Sequence, residues 1–211
     1  MTKILDIQRR LISLRNLTAR RLVVICFFVC VMMGTPARGQ QSGSSEKQTP
    51  AHKYFTDVEL INQDNKRMRL YSDLMKGKTV IINTFFAADQ GTSLLMNRNI
   101  KKVQEALGER VGKDVYIFSI SVDPTTDTPA RLKEYAQKLD AGPGWYFLTG
   151  DKQSVEFALR KFGQYVENKQ DHLNIIIIGN EPTGLWKKAF GLANSDDLIK
   201  VVESVVNDKL K

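Results

Sequence analysis

The chain has 211 residues, enough for one domain with a substantial core plus a leader and a linker. Its formal charge of +8 invites a nucleic-acid reading, but residues 1–39 hold seven Lys/Arg and one Asp. The remainder has 24 basic and 22 acidic residues, a net of +2 with no basic block and no aromatic-basic interleaving, which argues against nucleic acid as a partner.

Residues 1–21 are polar and basic, Leu22 to Met33 is apolar, and Pro36-Ala37-Arg38-Gly39 supplies small residues two apart. The apolar run is shorter than the roughly 20 residues that comfortably span a bilayer. The pattern is that of a secretory signal peptide cleaved after Gly39, with a retained membrane anchor as the alternative. Residues 1–39 are therefore expected to place the rest of the chain outside the cytoplasm, in the periplasm or cell envelope, with membrane contact only through the leader. The two cysteines of the chain, Cys26 and Cys30, both lie in the leader, where cysteine behaves as a small hydrophobe. A mature domain without them has neither a disulfide nor thiol chemistry.

Residues 40–53 open with Q-Q-S-G-S-S-E-K-Q-T-P, too polar to bury apolar surface, and are expected to form a flexible tether ahead of a folded domain over residues 54–211. Residues 55–61 and 67–71 alternate apolar and polar around a turn-rich centre, which predicts a β-hairpin. Ser72-Asp73-Leu74 begins a short helical turn closed by Gly77. Val80 to Phe86, V-I-I-N-T-F-F, reads as a buried parallel strand. A loop from Ala87 to Ser93 follows, then a helix whose stripe is Leu94, Met96, Ile100, Val103 and Leu107. Asp114 to Val122 is a second buried strand, and Asp127-Thr128-Pro129 starts a helix carrying Leu132, Tyr135, Ala136 and Leu139.

Trp145 to Leu148 is a short strand, followed by a helix from about Gln153 to Phe162. Asn174 to Ile178 and Leu185 to Phe190 flank the turn Glu181-Pro182-Thr183-Gly184 and form a second hairpin. Ser195-Asp196-Asp197 places a cap and two acids at the start of a last helix with Leu198, Val201, Val202, Val205 and Leu210 on its apolar face. The core order β, α, β, α, β, α, β, β, α predicts an α/β, thioredoxin-like fold: a mixed central sheet flanked by helices, with an N-terminal β-hairpin.

Several stretches carry a resemblance: Y-F-T-D-V-E-L-I-N-Q-D (Tyr54 to Asp64), V-I-I-N-T-F-F, S-V-D-P-T-T-D-T-P (Ser121 to Pro129), G-P-G-W-Y-F-L-T-G-D (Gly142 to Asp151) and the Asp171-His172 pair. Over about Tyr54 to Val206 the chain resembles the Sco/SenC family, exported or anchored thioredoxin-fold proteins that take part in copper delivery during cytochrome c oxidase assembly. The resemblance implies a copper site made of a C-x-x-x-C pair after the first core strand and a later His. In register from Val80, the two cysteine positions fall on Asp89 and Ser93, and the His falls on His172. One explanation of the missing pair is that Asp89 and Ser93 were introduced in place of cysteines, which a sequence from the native source decides.

Soft thiolates select Cu(I), and carboxylate or hydroxyl oxygens do not. Asp89 and Ser93 cannot form a disulfide either, so a thiol-disulfide oxidoreductase is disfavoured. A nucleophilic serine needs a base, for which His172 is the one candidate. Asp171 is its neighbour, and neighbours on a strand point to opposite faces, so a triad is disfavoured. A hard-ligand site of Asp89 and His172, helped by Met96 or His52, suits Zn(II) or Cu(II). In a purely structural reading Asp89 caps the following helix and His172 is a hydrogen-bonded loop residue.

Asp123 and Asp127 match a D-x-x-x-D element of the family; structurally, one ends a strand beside Pro124 and the other caps a helix. Trp145, Phe147, Trp186 and Phe190 read as core or hairpin aromatics, and an exposed ring among them would mark a binding face. The function expected is that of a non-catalytic protein that binds a partner in the cell envelope, linked to copper handling or oxidase assembly. The alternative is a metal-binding chaperone with an altered His/Asp site. No cofactor is firmly implied, and copper binding is expected to be weak without the cysteines.

Overall fold

The computed structural model describes residues 48–210, within one compact unit spanning Glu46–Lys211. The expected leader, its two cysteines and the tether up to residue 47 lie outside the described residues. Helix α1 (Pro50–Phe55) replaces the last part of the expected tether. Thr49 Oγ1 accepts the His52 N–H at 3.1 Å, Pro50 opens the first turn, and the His52 ring stacks on Tyr71 at 4.7 Å. Tertiary contact thus orders a segment whose composition alone favours disorder.

The first hairpin is present but shorter than expected, with β1 (Glu59–Asn62) antiparallel to β2 (Arg67–Arg69). Asn62 organises its turn: Oδ1 accepts from the N–H groups of Asp64 (3.0 Å) and Lys66 (2.9 Å), and Asn65 takes φ 60°. Phe55 belongs to α1, and Leu70–Met75 winds into a π-helical turn whose buried Leu70, Tyr71, Leu74 and Met75 pack into the core.

The seven strands lie in the order β2-β1-β5-β4-β3-β6-β7. The central strands β3 (Thr79–Phe85), β4 (Val115–Ser121) and β5 (Trp145–Thr149) are parallel neighbours, joined through α2 (Thr92–Leu107) and α3 (Pro129–Lys138). After α4 (Lys152–Lys161), strand β6 (Ile175–Asn180) returns antiparallel to β3, β7 (Leu185–Phe190) pairs with it, and α5 (Ser195–Val206) closes the chain. All seven residues of β3 are buried, which is why its sequence is apolar without alternation.

The starts of α1, α3, α4 and α5 follow side-chain caps, and two differ from expectation. Asn194, not Ser195, caps α5 by accepting the Asp196 N–H at 2.9 Å, while Thr128, not Asp127, caps α3. Leu210 lies beyond α5 and is 74% exposed, so it is not part of the apolar stripe.

Each face of the sheet has its own core. On one side Phe85, Met96, Ile100, Trp145, Leu198 and Val202 interlock; on the other, Leu60, Leu74, Ile82, Phe118, Val155 and Leu159 do. Full burial of each Leu, Ile, Val, Phe or Met side chain stabilises the fold by roughly 1.5–3 kcal/mol. The first core also holds a buried polar chain. Trp145 Nε1 donates to Ser119 Oγ (2.9 Å), which donates to Asn83 Oδ1 (2.7 Å); Asn83 Nδ2 donates to Asn97 Oδ1 (2.9 Å), and Asn97 Nδ2 to the Tyr135 hydroxyl (3.1 Å). Each link satisfies the next, so the lone Asn inside V-I-I-N-T-F-F fixes β3 against α2 instead of weakening the core.

Candidate functional site

The site forms where β3 ends and α2 begins. Asp89 builds the turn: Oδ1 accepts the Gly91 N–H at 2.7 Å and Oδ2 accepts the Ser93 N–H at 2.8 Å. The backbone N-cap of α2 is Gly91, which has no side chain, so the carboxylate of Asp89 supplies the capping acceptor from two residues earlier. Partial burial opposes the charge of Asp89, but the hydrogen bonds from Ser93 and Gly91 and the nearby His172 outweigh it and hold its pKa below the ordinary value.

His172 arrives from the opposite side. Asn168 Oδ1 caps a 3₁₀ turn (Lys169–Asp171) by accepting the Gln170 N–H at 3.1 Å, and His172 follows it, 8% exposed. Its Nδ1 lies 3.2 Å from the Lys169 carbonyl, an acceptor, so Nδ1 carries the proton in the neutral ring and Nε2 accepts from Ser93 Oγ at 3.0 Å. Ser93 Oγ in turn accepts the Phe86 N–H at 3.4 Å. Nε2 is 3.8 Å from Asp89 Oδ2, too far for a hydrogen bond. The Phe86 ring meets the imidazole edge-on, with centroids 5.6 Å apart.

The two aspartates of the D-x-x-x-D element brace this arrangement. Asp123 accepts from Lys169 Nζ at 2.7 Å and from Thr125 Oγ1 at 3.0 Å. Burial disfavours its charge, yet these bonds and one from Thr126 leave its pKa lowered. Asp127, expected to cap α3, is instead 1% exposed; its Oδ2 accepts from the Ala87 N–H (3.0 Å) and Ser121 Oγ (2.6 Å), pinning the exit of β3 to the end of β4. Its Oδ1 is buried without a hydrogen-bond partner, and desolvation pushes its pKa up.

Asp89, Ser93 and His172 therefore meet, as their positions in the family pattern imply. The other expected helpers do not join them. Met96 is fully buried, with its thioether against Gly191. His52 Nε2 is 3.0 Å from Asp57 Oδ2 and its ring is stacked on Tyr71. Asp171 is exposed and sits in the 3₁₀ turn, not on a strand as expected; the Lys169 carbonyl faces His172 Nδ1 in its place. Trp145 and Phe147 are core residues, whereas Phe190 is 53% exposed.

The donors present do not make a copper(I) site. One imidazole, one carboxylate and one hydroxyl converge, none of them soft, and the imidazole lone pair and the carboxylate are both occupied by hydrogen bonds from Ser93. Among the described residues no group of three or more His, Cys, Asp or Glu side chains could hold a metal ion. The Ser93 hydroxyl has the hydrogen bond of an activated nucleophile, but Ser93 is 0% exposed and offers a substrate no approach. Lys169 was missed by sequence reasoning; the signal was the cap Asn168 ahead of K-Q-D, which marks a turn that must be held against something.

A profile of the family described as SCO1/SenC matches residues 46–205. The chain belongs to that family. The "SCO1 protein homolog" of Bacillus subtilis (strain 168) is 33% identical over 175 residues, 77% of this chain and 88% of that protein. A SCO1/SenC family lipoprotein from Bacillus anthracis str. Ames is 28% identical with a TM-score of 0.60, covering 70% of this chain and 92% of that one. BsSco, described as a member of the Sco family of cytochrome c oxidase assembly proteins with a disulfide switch, is 29% identical with a TM-score of 0.59, covering 72% and 92%. The fold is thus thioredoxin-like, as the element order predicts. Residues 89 and 93 have no sulfur with which to form such a switch.

Proposed function

We propose that this chain is a Sco/SenC-family protein that acts by binding a protein partner in the cell envelope, without thiol redox chemistry and without catalysis, in the copper-handling or oxidase-assembly system that its relatives serve. What supports this reading is that Asp89 and Ser93, on which the family's cysteine positions fall by resemblance, are oxygen residues that hydrogen-bond with their surroundings in a chain that the family profile matches over residues 46–205. The BsSco relative, described as an oxidase assembly protein, supports the pathway. The lipoprotein relative supports placement outside the cytoplasm, with residues 1–39 as export signal or anchor. No helix among the described residues is long and apolar enough to cross a membrane.

The test is competitive capture from envelope extracts with the full chain as bait and a close relative bearing both cysteines as competitor. The reading predicts a partner enriched by the bait and displaced by the relative. Absence of any enriched partner across several ionic strengths contradicts it.

One observation favours a second reading, a weak hard-ligand site: His172 Nε2 and Asp89 Oδ2 stand 3.8 Å apart. Recruiting them for Zn(II) or Cu(II) requires breaking the Ser93 hydrogen bonds. The second reading predicts that His172→Ala lowers Zn(II) or Cu(II) affinity at least tenfold, about 1.4 kcal/mol; equal affinity ends it.

A further inference from the structure

Away from the site, the face of the sheet that carries α4 is incompletely covered. Helix α4 packs over β1 and β4, and over β6 and β7 that face is covered only in part, by Phe55 and Phe162. A groove of about 310 Å³ results, floored by Phe55, Phe162, Ile177 and Trp186. Trp186 is held flat across the sheet because Gly179 opposite leaves room for its ring; a Cβ there would strike it. Phe55 lies 5.3 Å from the Phe162 ring and 5.8 Å from that of Trp186. The floor is therefore a preassembled aromatic surface.

The rim has one sign of charge. On the groove's side the charged side chains are Lys161 and Lys188, and no lining residue is acidic. Lys161 Nζ stands over the half-exposed Tyr54 ring at 4.6 Å, whereas Lys187 points to the opposite face of the sheet, where its Nζ donates to Ser204 Oγ of α5 at 2.7 Å. Beside the groove, β7 is, among the described residues, an edge strand hydrogen-bonded to β6 alone, so its outer backbone groups form a template for another strand. Exposed Phe190 lies at the end of that template.

A second copy of this chain is a poor occupant. Antiparallel edge pairing of two β7 strands keeps like faces together, so the two registers that join five residues set either Lys187 opposite Lys187 or Lys188 opposite Lys188, and like charges directly opposite destabilise a sheet. An acidic strand has the reverse consequence. A carboxylate opposite Lys188 is attracted, and an apolar side chain two residues away on the same face falls into the groove.

We propose that β7 and the aromatic groove bind an extended acidic segment of a partner protein, which adds as an eighth strand and buries one aromatic or aliphatic side chain among Phe55, Phe162, Ile177 and Trp186. The proposal rests on the partner-binding reading and supplies the chemistry of the contact.

The test uses the full chain in phosphatidylcholine nanodiscs. A displayed library of random nine-residue peptides is panned against it, and amide hydrogen exchange is followed with the enriched peptide. The expected peptides carry two or more Asp/Glu around one aromatic or aliphatic residue and slow exchange within residues 185–190 at least tenfold. They lose at least tenfold in affinity either on Lys161→Glu/Lys188→Glu or on reversal of their own charges, which leaves the protein unaltered. Lys200→Glu, on exposed α5, has no effect. No enrichment, neutral or basic peptides, protection elsewhere, or indifference to both charge reversals overturns the proposal. So does protection of 185–190 that grows with chain concentration alone or appears only when phosphatidylglycerol is added. A captured envelope partner that Lys161→Glu/Lys188→Glu still binds refutes the groove and leaves the partner reading intact; acidic peptides bound here with no envelope partner do the opposite.

Discussion

The corner around His172 and the groove beside β7 are opposites. At the corner the polar groups hydrogen-bond one another: Asp89 accepts from Gly91 and Ser93, Ser93 donates to His172, and His172 donates to Lys169. At the groove, Lys161 and Lys188 stand beside an aromatic floor with no acid among the lining residues. In the proposed reading, the corner is held by polar groups that satisfy one another, while the groove supplies the surface for recognition.

The largest expected effect reverses the corner. Asp89→Cys/Ser93→Cys, tested in a chain that also carries Cys26→Ser and Cys30→Ser, places two soft donors beside His172. It should raise Cu(I) affinity about a thousandfold or more, roughly 4 kcal/mol, by chelator competition. No gain would mean that the corner lacks more than two thiolates of a Cu(I) site.

Next, His172→Ala strands the buried Ser93 hydroxyl and opens a void beside Phe86. Chemical denaturation should register a loss of about 1–3 kcal/mol. A neutral result would mean the corner is not structurally self-satisfied.

Asp89→Ala removes the carboxylate that starts α2 and should cost about 1 kcal/mol near neutral pH. Because the folded pKa of Asp89 lies below 3.8, its contribution is present above that value and is lost as pH falls through the depressed folded pKa. The variant should therefore lose less stability than the parent on acidification below about pH 4.

Asp127 has the opposite sign. Its folded pKa lies above 3.8, so the native state binds the extra proton and stability falls as pH rises from 3.8 through the raised value. Asp127→Asn keeps an acceptor for Ala87 and Ser121 and should flatten that decline in denaturant midpoints. The groove offers the smallest effect: Lys188→Glu, on an exposed side chain, should change stability by no more than about 0.5 kcal/mol.

The element order was legible because burial writes itself into composition: β3 and β4 are continuous apolar runs, and α2 has a clear stripe. The convergence of Asp89, Ser93 and His172 was legible only through the family pattern, since the last two are 79 residues apart. Local chemistry was ambiguous where two readings share one signal. Asp127 precedes Thr128-Pro129 and looks like a cap, but its side chain turns to Ala87 and Ser121, contacts that no local window contains. Residues 50–53 look like linker until Tyr71 and Asp57 are placed beside His52. The groove was the least legible feature, because Phe55, Phe162 and Trp186 come from three separated elements and each alone reads as a core residue.

The most direct test of the central claim is a Cu(I) and Cu(II) titration of the full chain carrying Cys26→Ser and Cys30→Ser, against a competing chelator and with His172→Ala alongside. The account predicts no site tighter than about micromolar, near 8 kcal/mol of binding free energy, and no difference between the two chains. Stoichiometric binding that disappears with His172 would contradict it, and would mean that the corner still serves as a metal site.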